Sequence, residues 1–120
     1  MIRGDLEQEN YEWMKDVYIG EGDLAGKGVY AARDFKAGET VVAYNLKPLT
    51  QEEFDTLSDS EKMFTHVHHG QINLYSAPER FVNHAHDPNT YQDLKRGDIA
   101  LRDIKQGEFI TTDATKDDIE

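Results

Sequence analysis

Hydrophobic positions along this chain come in short bursts separated by glycine, proline and charged residues. "VYI" at residues 17–19, "VYAAR" at 29–33, "TVVAYNL" at 40–46 and "INLY" at 72–75 are rich in β-branched and aromatic residues and predict strands. Pro78 follows the last of these and closes it. Further on, "TYQDL", "GDIALRDI" and "EFITTD" alternate or run apolar and predict strands again. "GEGDLAGKG" puts four glycines within nine residues and reads as a loop or tight turn, and "DFKAGE" reads as a turn. Residues 50–65 break the β character. "TQEE" pairs Thr50 with Glu53 as a capping box, and "SDSE" repeats that signature from Ser58 to Glu61. Two short helices are predicted there, inserted between β regions.

The expected fold is therefore mainly β with short helices. It is expected as one domain over residues 1–120, with a loosely packed head at 1–16 onto which Tyr11 and Trp13 could tuck. Few segments have the length and periodicity of crossover helices, which argues against a parallel-sheet dinucleotide fold. One internal echo stands out. "ARDFKAGETV" at 32–41 and "LRDIKQGEFI" at 101–110 share Arg-Asp, an apolar residue, Lys, one variable position and Gly-Glu. Each predicts a strand–turn–strand corner in which the apolar residue plugs the core and Gly38 or Gly107 takes a positive φ.

Composition narrows the chemistry. The chain has 120 residues, no cysteine and a formal net charge of −11. Disulfides, thiolate metal sites and cysteine nucleophiles are excluded. Most of the acidity serves solubility, but its field also favours basic protein partners over direct contact with nucleic acid. No apolar run reaches the roughly 20 residues of a membrane span, and the N-terminus lacks the apolar core of a signal peptide, so a soluble cytoplasmic location is expected. The histidines fall in "HVHHG" (His66, His68, His69) and "NHAHDPN" (His84, His86). Alternate histidines on a strand share a face and could hold Zn or Fe(II), so a small metalloprotein using His66, His68, His84 and His86 stays open as one reading. Pro88 and the turn residues around it weaken that alternation, and His68 with His69 also reads as an exposed turn before Gly70. Tyrosines at 18, 30, 44, 75 and 91 suit either a core or a channel for a lysine ammonium.

In order, "GKGVYAARDFKAGETV", a variable helical insert, "RFVNHAHDPNTY" and "DIALRDIKQGEFITTDA" resemble the SET domain of protein-lysine methyltransferases, over roughly residues 17–113. The resemblance is to a small form lacking the cysteine-rich segment that often completes the lysine channel. It implies a β-clip fold of small curved sheets whose C-terminal segment threads a pseudoknot. It also implies S-adenosylmethionine as cofactor. Gly26, Lys27, Gly28 and Tyr30 would line the methionine end, Arg80 and Phe81 would build the approach to the knot, and Asn83 and His84 would contact the adenosine. For Asn83 a structural role, tying the knot by hydrogen bonds, stands beside this one. No metal is implied. The implied reaction is methyl transfer to a lysine of a basic protein such as a histone tail, with desolvation lowering the amine's pKa.

The sequence departs from the family at instructive places. Asp113 is followed by Ala114 where the family carries its catalytic tyrosine, so Tyr18, Tyr44 or Tyr75 would have to supply a hydroxyl. Ala85 and His86 stand at the usual Ser and Cys positions. The alternative is a catalytically weak or inactive SET-like module that binds cofactor or peptide. A domain without its own channel lid would borrow a wall from a second subunit, which makes a homodimer an expectation too.

Overall fold

The structure is a computed structural model that describes residues 14–113. The readings made for Tyr11, Trp13 and the position of Ala114 lie outside the described residues. Among the described residues ten strands carry the fold: β1 (Val17–Leu24), β2 (Lys27–Ala31), β3 (Thr40–Val42), β4 (Lys47–Leu49), β5 (Thr65–His68), β6 (Gln71–Leu74), β7 (Asn83–His84), β8 (Thr90–Asp93), β9 (Gly97–Ala100) and β10 (Phe109–Thr112). Two short helices, α1 (Gln51–Asp55) and α2 (Asp59–Lys62), lie between β4 and β5, and a 3-10 turn (Glu79–Phe81) precedes β7. The strands form three small sheets, ordered β1-β2-β10-β7, β3-β9-β8 and β4-β6-β5.

Local chemistry explains most of these elements. Thr50 and Glu53 close a reciprocal capping box on α1, and Ser58 caps α2 by accepting from the Glu61 N–H. β1 alternates buried Val17 and Ile19 with exposed Tyr18, as a half-covered strand should. All four residues of β9 are buried, because it is the middle strand of its sheet.

Of the loop or tight turn expected for the glycine-rich stretch, the structure has the tight turn, and a short one. Strand β1 runs on to Leu24 and β2 begins at Lys27, so only Ala25 and Gly26 turn, both at positive φ in a two-residue hairpin. Gly22 and Gly28 serve contact rather than looping. A Cβ on Gly28 would sit 2.5 Å from the Phe109 ring, and one on Gly22 would sit 2.4 Å from the Lys27 carbonyl oxygen. Strand β4 is a departure, because "KPL" carries no strand signal and owes its state to pairing with β6. Of the head expected at 1–16, residues 14–16 are tied down. The Asp16 carbonyl accepts from the Ala32 N–H, and Met14 packs against the core.

The repeated corners meet face to face. Phe35 and Ile104 exchange both backbone hydrogen bonds, at 2.7 and 2.9 Å. Asp103 accepts from the Ala37 N–H, and Asp34 accepts in turn from the Gln106 N–H. Within each corner the Gly-Glu carboxylate accepts from the lysine N–H and pairs with the arginine: Glu39 with Lys36 and Arg33, Glu108 with Lys105 and Arg102. Phe35 and Ile104 are almost wholly buried at the centre of this pseudo-two-fold unit.

Strand β10 completes the fold. It pairs antiparallel with β2 on one side and parallel with β7 on the other. Asn89 adds a mimic of a strand, its side-chain amide accepting from the Thr111 N–H and donating to the Phe109 carbonyl. The Thr90 hydroxyl donates to the Thr111 carbonyl. The C-terminal strand is thus enclosed by the segment from Asn83 to Thr90, which is the expected pseudoknot in physical form.

Candidate functional site

Asn83 joins the knot to the glycine hairpin. It is almost fully buried, its side-chain oxygen accepts from the Asp23 N–H at 2.7 Å, and its amide donates to the Lys27 and Phe81 carbonyls at 2.9 Å each. Both amide protons and one of the two oxygen lone pairs are used. Truncating it would leave backbone groups from β1, β2 and the 3-10 turn without partners.

Beside this joint lies a cleft of about 140 Å³. It is lined by Leu24 at the end of β1, Met63 and Phe64 after α2, Arg80, Val82 and His84 of the knot segment, and Tyr44, His66, Tyr75, Glu79 and Asp98. Thr112 and Gln92 are shared with a neighbouring hollow of about 460 Å³ that His86, Tyr91 and Asp113 also line. The tyrosine wall is built by hydrogen bonds. The Tyr44 hydroxyl donates to Asp98 Oδ1 at 2.7 Å, and the Tyr75 hydroxyl lies 3.0 Å from His68 Nε2. The two tyrosine rings lie 5.7 Å apart, and His66 meets the Tyr75 ring edge-on at 4.6 Å.

Arg80 is fixed by contacts of its own. Its guanidinium grips both oxygens of Glu61 and its Nε donates to the Tyr75 carbonyl, while the plane covers the Phe64 ring. The Arg80 hydrogen bonds hold the Glu61 carboxyl below its ordinary value. Burial does the opposite to Glu79 and pushes its carboxyl up. Two buried oxygens at the cleft, Glu79 Oε1 and Thr112 Oγ1, have no hydrogen-bond partner among the described residues. Acceptors left open in this way suit a ligand that brings donors or positive charge.

Of the residues singled out in the sequence, Arg80, His84, Tyr44 and Tyr75 converge on this cleft, with Asn83 and Phe81 packed behind it. Gly26, Gly28, Tyr30 and Tyr18 do not line it. Gly26 is the open tip of the hairpin, and Tyr30 stacks between Tyr18 and Phe109 with its hydroxyl donating to the Glu21 carbonyl. Lys27 offers its carbonyl to Asn83 and lays its ammonium 5.2 Å from the Phe81 ring. The histidines separate by role. His68 is not an exposed turn residue: it is buried, with its two ring nitrogens facing Asn73 and Tyr75. His84 lies 3.7 Å from Asp113 and meets His86 edge to face. Among the described residues no group of three or more His, Asp or Glu side chains could hold a metal ion. Glu79, Asp98 and Thr112 escaped sequence reasoning. The one signal for Glu79 was an acid directly before the Arg-Phe of the knot motif.

Comparison with known proteins bears on the fold and the family. The SET domain profile matches residues 26–113. The variant-silencing SET domain-containing protein of Plasmodium falciparum (isolate 3D7) is 31% identical over 82% of this chain, and human histone-lysine N-methyltransferase 2D is 27% identical over 85% of it. The chain spans only 5% and 2% of those relatives' lengths. A crystal structure of a Plasmodium falciparum protein proposed to be a histone methyltransferase superposes with a TM-score of 0.66 at 19% identity, covering 83% of this chain and 93% of that one. Matched in profile over most of its length and in fold over four-fifths of it, this chain belongs to the SET domain family.

Proposed function

We propose that the chain is a protein-lysine N-methyltransferase that uses S-adenosylmethionine and acts on a basic protein tail. The cleft carries this reading. It lies where the glycine hairpin, through Leu24, meets the knot motif, through Arg80, Val82 and His84, and two side chains with an unpartnered buried oxygen, Glu79 and Thr112, are among its lining. The ammonium and hydroxyl donors of S-adenosylmethionine match such acceptors, and its sulfonium supplies the activated methyl when bound. Asn83, Phe81 and the Lys27 carbonyl fix the hairpin against the knot, while Gly26, Gly28 and Tyr30 shape the hairpin itself. The rings of Phe64 and Tyr75 desolvate an entering lysine amine, which works to lower its pKa from the reference of about 10.4. Alignment of amine and methyl contributes much of the remaining rate. The net charge of −11 draws in a basic tail.

A second reading, a SET-like module that binds without turnover, is favoured by one specific observation. The hydroxyls of both cleft tyrosines are already committed, Tyr44 to Asp98 and Tyr75 to His68, and the family's tyrosine position is Ala114. Incubation with labelled S-adenosylmethionine and histone-tail peptides separates the two. Label on lysine supports the enzyme. Cofactor binding without label supports the module, and Ala114→Tyr is then expected to raise the rate by about 10²–10⁴.

A further inference from the structure

Glu79 is held in an unusual way. It is 4% exposed, yet its carboxylate is only half satisfied. Oxygen Oε2 accepts two backbone N–H groups, from Asn45 at 2.7 Å and from Ser76 at 3.2 Å. These residues directly follow Tyr44 and Tyr75, the two tyrosines of the cleft wall. A third bond closes the ring, from the Ser76 hydroxyl to the Asn45 carbonyl at 2.8 Å. One carboxylate oxygen therefore clamps the two backbone segments that present the tyrosines. The other oxygen, Oε1, is buried and has no partner among the described residues, on a side chain that lines the cleft. The neighbouring Arg80 guanidinium acts on this carboxylate only through its charge, because its hydrogen bonds go to Glu61 and the Tyr75 carbonyl.

We propose that Glu79 is both the clamp that positions Tyr44 and Tyr75 and the group that selects an organic cation, an ammonium or a sulfonium, for this cleft. Burying a carboxylate with no cation hydrogen-bonded to it is costly, and a positive charge in the adjoining cleft offsets part of that cost. Asp98, whose Oδ1 accepts from Tyr44, adds negative potential, and the tyrosine faces offer cation–π attraction. The inference deepens the methyl-transfer reading, on which the choice of onium ligands rests. Such a ligand has two sources in that reaction, the sulfonium of the cofactor and the ammonium of the substrate lysine.

The test uses small probes in place of either. The whole chain is titrated with trimethylsulfonium, with n-butylammonium and with neutral butan-1-ol while the Tyr44 and Tyr75 resonances are followed. Wild type is expected to bind at least one cation more tightly than the alcohol, and the favoured cation names the source. Glu79→Gln keeps a side-chain oxygen for the clamp and removes the charge. It is expected to stay folded and to weaken cation binding by about tenfold, with the alcohol unchanged. Glu79→Ala is expected to shift both tyrosine spin systems in the free protein as well. Equal cation affinity in wild type and Glu79→Gln would overturn the proposal. So would wild type that binds neither cation at the tyrosines, even if it binds S-adenosylmethionine. Failure to bind S-adenosylmethionine with cation selectivity intact would sink the methyl-transfer reading alone.

Discussion

The paired corners and the cleft use the same residue type to opposite ends. In the corners, Glu39 and Glu108 have both oxygens engaged, by a backbone N–H and by an arginine, at a partly solvated surface. Their carboxyls are held below the ordinary value, Glu39 first by the Lys36 N–H and Glu108 first by Arg102. In the cleft, Glu79 is buried with one oxygen open, and desolvation drives its carboxyl the other way. The corners are closed circuits that determine the fold. The cleft keeps unmet hydrogen-bonding capacity, which a purely structural element has no use for.

The sharpest way to test the corners' share is through their plugs. Phe35→Ala is expected to cost about 3–5 kcal/mol in denaturant unfolding, since a fully buried ring leaves a cavity that its neighbours cannot fill. Met63→Ala, at an exposed residue on the cleft's edge, should leave the midpoint nearly unchanged, and a large loss there would erase the distinction between the regions. Next in size is Asn83→Ala, at the joint between hairpin and knot. Loss of its three hydrogen bonds should cost about 1–3 kcal/mol, seen as a lowered Tm.

Acid titration sharpens the comparison through its signs. Glu108 is depressed in the folded state, so the stability it contributes is present above its unfolded value and is lost as pH falls through the lower folded one. Glu79 is raised, so it favours the fold at low pH, and that contribution is lost as pH rises from the unfolded value through the raised one. Urea unfolding from about pH 3 to about pH 7 should show the split. Glu108→Gln should lose stability relative to wild type as pH rises, and Glu79→Gln should gain. Two curves of the same sign would break the contrast. The smallest effect is expected from Arg102→Ala, whose guanidinium is mostly exposed: about 0–1 kcal/mol, less at high salt.

Sequence and structure agree best where information is local. The capping signatures at Thr50 and Ser58 and the repeated corners were legible because each is written in neighbouring residues, whereas the enclosing segment from Asn83 to Thr90 followed only from the resemblance. That the two corners face each other was not, because the Phe35–Ile104 bridge joins positions far apart in the chain. The extent of the glycine turn was not legible for a physical reason: close approach by Phe109 and by the Lys27 backbone demands glycine as firmly as a turn does. The cleft was half legible. Its motif residues, Arg80 and His84, follow from the resemblance. Tyr44, Tyr75 and Asp98 come together only through the packing of separate sheets, and Glu79 gains its role from two backbone N–H groups that no sequence pattern marks.

The central claim is that this cleft is the working site of the chain. Titration with S-adenosylmethionine, followed by heat and by NMR on the same sample, tests it most directly. Saturable binding is expected, with the largest shifts at Leu24, Tyr44, Tyr75, His84 and Thr112. No heat at millimolar cofactor, or shifts that leave these five residues untouched, would contradict it.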